Sequence, residues 1–157
     1  MNTRARGTIA FAVCGSFCTL SAAEKQAEVL VRQGWDLLPV MSFAASRLDT
    51  RFGTASGWRE KLEQLTGHEV LDSLQAVEPL GPRKLAQALV IAPCTGTTLA
   101  RLAAGLSDTP VTLAAKSLLR VGCPVAHRGK ISPVCASAST TILCPMGRMT
   151  LQKSRRA

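Results

Sequence analysis

Residues 8–14 (Thr-Ile-Ala-Phe-Ala-Val-Cys) form a short, unbroken apolar run with β-branched members, and it stops at Gly15-Ser16. A run of that length with no polar alternation is a strand covered on both faces, the signature of a parallel sheet. The next segments agree with it. Ser21 to Gln33 carries Ala22, Ala23, Ala27, Leu30 and Val31 at helical spacing, and Gly34 supplies a C-terminal stop. Trp35 to Met41 is a second apolar strand, in which Pro39 points to a sheet edge or a strand end, and it closes at Ser42. Strand, loop, helix and strand within about 35 residues make a βαβ unit.

The rest of the body continues the alternation. Residues 43–57, rich in Ala, Ser, Gly, Thr and Arg, are expected to form a long loop over the sheet, with Arg47 and Arg51 projecting. Trp58 to Thr66 is an amphipathic helix closed by Gly67, and Val70 to Val77 fits a helix or a strand equally well. Glu78-Pro79-Leu80-Gly81-Pro82 is a rigid turn. Leu85 to Ala92 holds a third buried strand centred on Leu89-Val90-Ile91, Thr97 to Leu106 a helix, and Pro110 to Lys116 a fourth strand. The expected fold is α/β, a Rossmann-like three-layer α/β/α arrangement around a parallel sheet. Its ligand would sit beyond the carboxyl ends of the strands.

Two of those ends carry anion-binding chemistry. Gly15-Ser16-Phe17-Cys18-Thr19 joins the first strand to its helix, and Ala92-Pro93-Cys94-Thr95-Gly96-Thr97-Thr98 joins the third strand to its helix. Each offers hydroxyls, a glycine and a helix N-terminus with free amides, and Ser42 stands at a third strand end. The bland alternative is ordinary helix capping, by Thr97 or Thr98 in the second loop. Neither loop is a GxGxxG fingerprint or a Walker A sequence.

Charge and cysteine content exclude other classes. With 46% hydrophobic and 18% charged residues the chain is globular. The net charge of +9 is unevenly placed: up to Arg120 there are 13 Lys and Arg against 10 Asp and Glu, and beyond it 6 against none. The body offers no basic carrier for nucleic acid, and no apolar run reaches a membrane span of about 18 residues. The run at 8–14 is at the short limit for a signal peptide. None of the six cysteines forms a CxxC pair and histidine is scarce, so no metal site and no disulfide framework is expected.

At this point the motifs become specific. Gly15 to Thr19, Asp49-Thr50-Arg51-Phe52-Gly53, Leu65-Thr66-Gly67, Glu78 to Pro82, Ile91 to Gly96, and Leu102-Ala103 through Ser107-Asp108-Thr109-Pro110-Val111 to Ala114-Ala115-Lys116 resemble the family of dipicolinate synthase B subunits. These belong to the flavoprotein superfamily of cysteinyl decarboxylases and flavin prenyltransferases. The likeness runs over residues 7–125. It implies an FMN site built from Gly15, Ser16, Phe17, Thr19, Ser42, Pro93, Thr95, Gly96, Thr97 and Thr98. It also implies homo-oligomers, a separate nicotinamide-binding A subunit as partner, and oxidation of dihydrodipicolinate to dipicolinate in the mother-cell cytoplasm of a sporulating bacterium. Arg47, Arg51 and Lys116 are candidate partners for a dicarboxylate, against the plainer expectation of solvated charges. The decarboxylase branch uses a histidine. His68 does not sit in that motif and His127 lies past the likeness, so no catalytic residue is named. The alternatives are a flavoprotein decarboxylase, a flavin prenyltransferase, or an inactive truncated remnant.

Residues 1–125 are thus expected to form the flavoprotein-like domain, incomplete at its C-terminal side, and 126–157 an aberrant, disordered basic tail. The family would continue to a motif close to Val-Pro-Tyr-Gly-Gln-Asp-Asp-Pro. The genetic code allows that motif in a shifted frame. Taking the third base of each codon from Leu143 onward with the first two of the next, Met146 into Gly147 must read Gly and Met149 into Thr150 must read Asp. The other junctions permit Val, Pro, Tyr, Gln, Asp and Pro in their places. A frameshift with some loss of sequence is the expectation.

Overall fold

The computed structural model describes residues 6–129, 139–143 and 149–150. Its sheet is built on β1 (Thr8–Val13), whose neighbours are β2 (Asp36–Met41) and β3 (Ala88–Ile91), both parallel to it. β4 (Val125–Gly129) adds in parallel to β3, and β5 (Ser139–Leu143) and β6 (Met149–Thr150) are joined antiparallel beyond it. The strand order is β2-β1-β3-β4-β5-β6. Pro39 therefore lies in the edge strand, where its missing N–H costs no ladder bond, while its carbonyl accepts from Leu71 N–H at 2.8 Å.

The period-2 alternation of β1 divides the core into two layers. Ile9, Phe11 and Val13 point to one face, against Leu20, Ala23 and Ala27 of α1 (Leu20–Arg32) and Trp58 and Leu62 of α3 (Ala55–Thr66). Between these two helices in the chain lies the short α2 (Phe43–Arg47). Ala10, Ala12 and Cys14 point to the other face, against the single-turn α4 (Leu74–Val77), α5 (Gly96–Ala103) and α6 (Pro110–Arg120). This is the expected three-layer α/β/α architecture. Small residues at 10 and 12 let Val111, Ala114, Ala115 and Leu118 of α6 share that layer with Leu89 and Ile91.

Three local expectations need correction. Pro110 to Lys116 is the first part of helix α6, not a strand. Thr109 is its N-cap in a reciprocal capping box with Thr112, and Pro110 occupies the first turn, where a missing N–H is harmless. The fourth parallel strand is Val125–Gly129 instead. Residues 43–57 are not one long loop: Ser42 caps α2 through Ala45 N–H, and Thr54 caps α3 through Gly57 N–H. The segment 70–77 divides, Leu71 bridging β2 at Val40 and 74–77 forming α4.

The Glu78–Pro82 turn is held against α6. Gly81 N–H donates to Ser117 Oγ at 3.0 Å, and Ser117 Oγ donates to the Glu78 carbonyl at 3.2 Å. A Cβ at Gly81 would stand 2.2 Å from the Ser117 carbonyl oxygen, so only glycine allows this approach. Of residues 126–157, those at 126–129, 139–143 and 149–150 lie in strands of the sheet, and the others lie outside the described residues.

Candidate functional site

The order β2-β1-β3-β4 places a topological switch point between β1 and β3. The chain leaves β1 towards α1 on one face and leaves β3 towards α5 on the other, which opens a crevice at their carboxyl ends. Direct backbone bonds fix the three strand ends there. Cys14 N–H donates to the Pro93 carbonyl at 3.1 Å, Ala92 N–H to Ala12 at 2.8 Å, and Ser42 N–H to Val13 at 2.9 Å. The loops singled out from sequence are therefore adjacent in space.

The loop after β3 is the more open of the two. Thr95, rather than Thr97 or Thr98, caps α5, accepting from Thr98 N–H at 3.2 Å, and its hydroxyl donates to Thr98 Oγ1 at 3.0 Å. Thr98 Oγ1 in turn donates to Cys14 Sγ at 3.4 Å, and Thr98 is buried. Both hydroxyls are thereby committed inward. The amides of Gly96 and Thr97, the first two of α5, have no acceptor among the described residues, and both residues are exposed. A Cβ at Gly96 would meet nothing within 4 Å. Two free amides, the Thr97 hydroxyl and the positive end of a helix thus face open space, which is the donor set an oxyanion such as a phosphate requires.

The loop after β1 is more self-contained. Thr19 Oγ1 lies 2.8 Å from the Ser16 carbonyl and 3.0 Å from the Ser16 hydroxyl, so the two side chains engage each other across a 3₁₀ turn over Phe17–Thr19. A Cβ at Gly15 would lie 3.0 Å from Ala44 Cβ, so the absence of a side chain there lets this loop pack on α2. Phe17 packs partly against the α1 layer. Ser42 accepts the Ala45 amide as the cap of α2.

Two thiols, Cys14 and Cys94, lie buried at these strand ends. Burial pushes the Cys14 thiol up from its ordinary value, opposed by hydrogen bonds from the Thr98 side chain and the Thr95 backbone. Burial, then the neighbouring Cys14, pushes Cys94 up to about 12. Both stay protonated at neutral pH and are poor nucleophiles. The T-x-x-T spacing of Thr95 and Thr98 was the one available sign that these hydroxyls cap and anchor. Cys14, Cys18, Cys94 and Cys123 are free, and Cys135 and Cys144 lie outside the described residues.

The candidate substrate cations are not gathered in one place. Arg47 ends α2 with its guanidinium 4.4 Å from the Phe43 ring centroid, and Arg51 lies 4.9 Å from that of Phe52 in the Thr50–Gly53 turn. Lys116 belongs to α6, bonds Ser107 Oγ at 3.3 Å, and borders a groove with Glu78 and Pro82 that none of the strand-end loops lines. His68 Nε2 lies 2.8 Å from Asp36 Oδ1, the first residue of β2, at the opposite end of that strand from Ser42. His127 on β4 is buried, and neither ring nitrogen has a partner among the described residues. No helix among the described residues is long and apolar enough to cross a membrane.

Comparison with known proteins shows the family and the fold. A family model described as Flavoprotein matches residues 2–151. The chain is 43% identical to the dipicolinate synthase B subunit of Bacillus subtilis (strain 168) over 117 residues, 74% of this chain and 58% of that protein. It thus spans less than two thirds of that relative's length. The crystal structure of the dipicolinate synthase B subunit from Bacillus halodurans superposes with a TM-score of 0.68 at 35% identity, over 80% of this chain and 65% of that one. An FMN complex of Burkholderia xenovorans DmrB shares the fold, with a TM-score of 0.63 at 24% identity over 89% of this chain and 77% of that one.

Proposed function

Because the chain belongs to the flavoprotein family, we propose that it is an FMN-binding subunit of a dipicolinate synthase, acting in the oxidation of dihydrodipicolinate to dipicolinate during sporulation. The observation that carries the proposal is the open donor set at Gly96-Thr97, at the β1/β3 switch point of a chain 43% identical to a dipicolinate synthase B subunit. The residues fit the group. The Gly96 and Thr97 amides and the Thr97 hydroxyl would receive the phosphate. Ser16, Thr19 and Ser42 would border the ribityl chain, with Gly15, Phe17 and Pro93 shaping the wall. Thr95 and Thr98 hold the loop rather than the ligand, through their bonds to each other and to Cys14.

The overall conversion removes a hydride equivalent and a proton from the dihydropyridine ring and makes it aromatic. A bound flavin supplies two-electron redox chemistry. The chain's own residues orient and neutralise: Arg47 and Arg51, on the segment that leaves Ser42, would pair with the carboxylates of the substrate. The nicotinamide-binding A subunit would serve as partner, in a homo-oligomeric assembly in the mother-cell cytoplasm. Titration of the purified chain with FMN should quench flavin fluorescence saturably, and Gly96→Val should weaken binding by filling the open space. An unquenched titration of the folded wild-type chain would sink the proposal. Addition of dihydrodipicolinate and the A subunit then tests the reaction itself.

We also propose that the residues beyond Val125 derive from a shifted reading frame, so that 1–125 is the native domain and 126–157 a replaced basic segment. Support comes from the codon junctions at Met146-Gly147 and Met149-Thr150, from the acid-free charge of this stretch, and from the buried His127, unpaired among the described residues. Sequencing the gene decides it, since the shifted frame either contains the family motif or does not.

A further inference from the structure

We propose that the groove between α6 and the Glu78–Pro82 turn is a docking site for an acidic protein segment with an apolar side chain set between its carboxylates. The groove is about 400 Å³, and Pro82, Leu113 and Val121 give it an apolar wall. Lys116 and Arg120, one helical turn apart on α6, stand on its border against the single carboxylate of Glu78. Arg83 and Lys84 come directly after Pro82 and are exposed. Among the described residues none of these four cations forms an ion pair, as is also true of Lys25, Arg47 and Arg51, whereas Arg32, Arg59, Lys61 and Arg101 each have a carboxylate partner. Val121 and Leu85 are exposed beside them, at 36% and 43%.

Unpaired cations around exposed apolar side chains make a surface whose charge and apolar area are both unspent. The groove is also preformed. The Gly81–Ser117 and Ser117–Glu78 bonds hold the turn to α6, so little order has to be imposed on binding. A small anion would leave the apolar wall unused. A nucleic acid would need a longer basic track than these positions supply. An acidic segment with an apolar anchor uses both features. The site is separate from the strand-end loops, and its occupancy does not depend on the flavin proposal.

The test is an NMR titration of the full-length, isotope-labelled chain with a terminally blocked peptide of alternating Glu and Leu. A peptide with Gln in place of Glu and a single-stranded oligonucleotide serve as comparisons. The acidic peptide should bind saturably and shift amides within 78–85 and 113–121. Lys116→Glu with Arg120→Glu should weaken it about tenfold or more, and Val121→Ser should weaken it with the circular dichroism spectrum unchanged. FMN titrations should be the same in all variants. The inference is overturned if no binding occurs, if the shifts fall elsewhere, or if the variants bind as the parent does. It is equally overturned if the oligonucleotide or the Gln peptide binds as tightly as the acidic one.

Discussion

Strands β1 and β4 both lie inside the sheet, and they differ in how far their side chains agree with that position. In β1, Ala10, Phe11, Ala12 and Val13 are all apolar and almost wholly buried, and each face meets a helix layer of matching size. β4 has the same kind of backbone pairing: Leu89 N–H donates to the Pro124 carbonyl and Cys94 N–H to that of Arg128. Its side chains disagree. Val125 is buried beside Leu89, but His127, opposite Ile91, is 3% exposed with neither ring nitrogen bonded among the described residues. Backbone hydrogen bonds are indifferent to sequence, so pairing alone does not certify a strand. Agreement across levels does. Phe11→Ala should therefore destabilise the chain by about 3–5 kcal/mol, the usual loss for a buried aromatic, measured by urea unfolding. A loss under about 1 kcal/mol would show that β1 is no more tightly specified than β4, and the contrast would collapse.

The opposite sign is expected on β4. Replacing both unpaired nitrogens with carbon of similar shape, as in His127→Leu, should stabilise by about 1–3 kcal/mol, the desolvation cost of a buried polar group without a partner. A destabilised variant would mean that His127 has found a bond, and that β4 is as well adapted as β1. The same residue sets a pH dependence. Burial pushes the His127 pKa below its ordinary value of 6.5. The unfolded chain then binds a proton that the folded chain refuses between the two values. Stability from this group is fully present above 6.5 and falls as pH drops below it towards the folded value. Urea midpoints between pH 7.5 and 5 should fall in the parent and fall less in His127→Leu. Parallel curves would remove His127 as the cause.

The contrast also explains what was legible in the sequence. β1, β2, β3, α1 and the three-layer arrangement were readable because one strong period, or one unbroken apolar run, dominates each segment. Pro110 to Lys116 misled because Val111 and Thr112 suit a strand. The stronger signals were Thr109 as cap, Pro110 in the first turn, and the 111, 114, 115, 118 spacing that buries Val111, Ala114, Ala115 and Leu118 together. Residues 43–57 hid α2 because Ala and Ser carry little periodicity; Ser42 as cap was its only mark, and Thr54 marks the start of α3. The two anion loops were legible as chemistry. Which hydroxyls face inward was not, since the Thr95–Thr98–Cys14 relay depends on β1 lying beside β3, a contact spanning 84 residues.

That relay gives the smallest of the expected effects. Thr95→Ala removes the acceptor of Thr98 N–H and frees Thr98 Oγ1 from one of its two side-chain partners. Loss of an N-cap hydroxyl costs about 1 kcal/mol, and Thr95→Ser, which keeps the oxygen, should restore most of it. The thiols give an independent readout. Cys14 is shielded by burial and by Thr98, while Cys18 is exposed four residues away. Alkylation and then mass spectrometry should find Cys18 labelled first in the parent, and Thr95→Ala should speed labelling at Cys14 while leaving Cys18 unchanged. If the cap is lost and Cys14 stays as protected as before, the two strand-end loops are held by the backbone bonds of Cys14 and Ala92 alone. The threonines would then have no part in fixing the donor set at Gly96-Thr97.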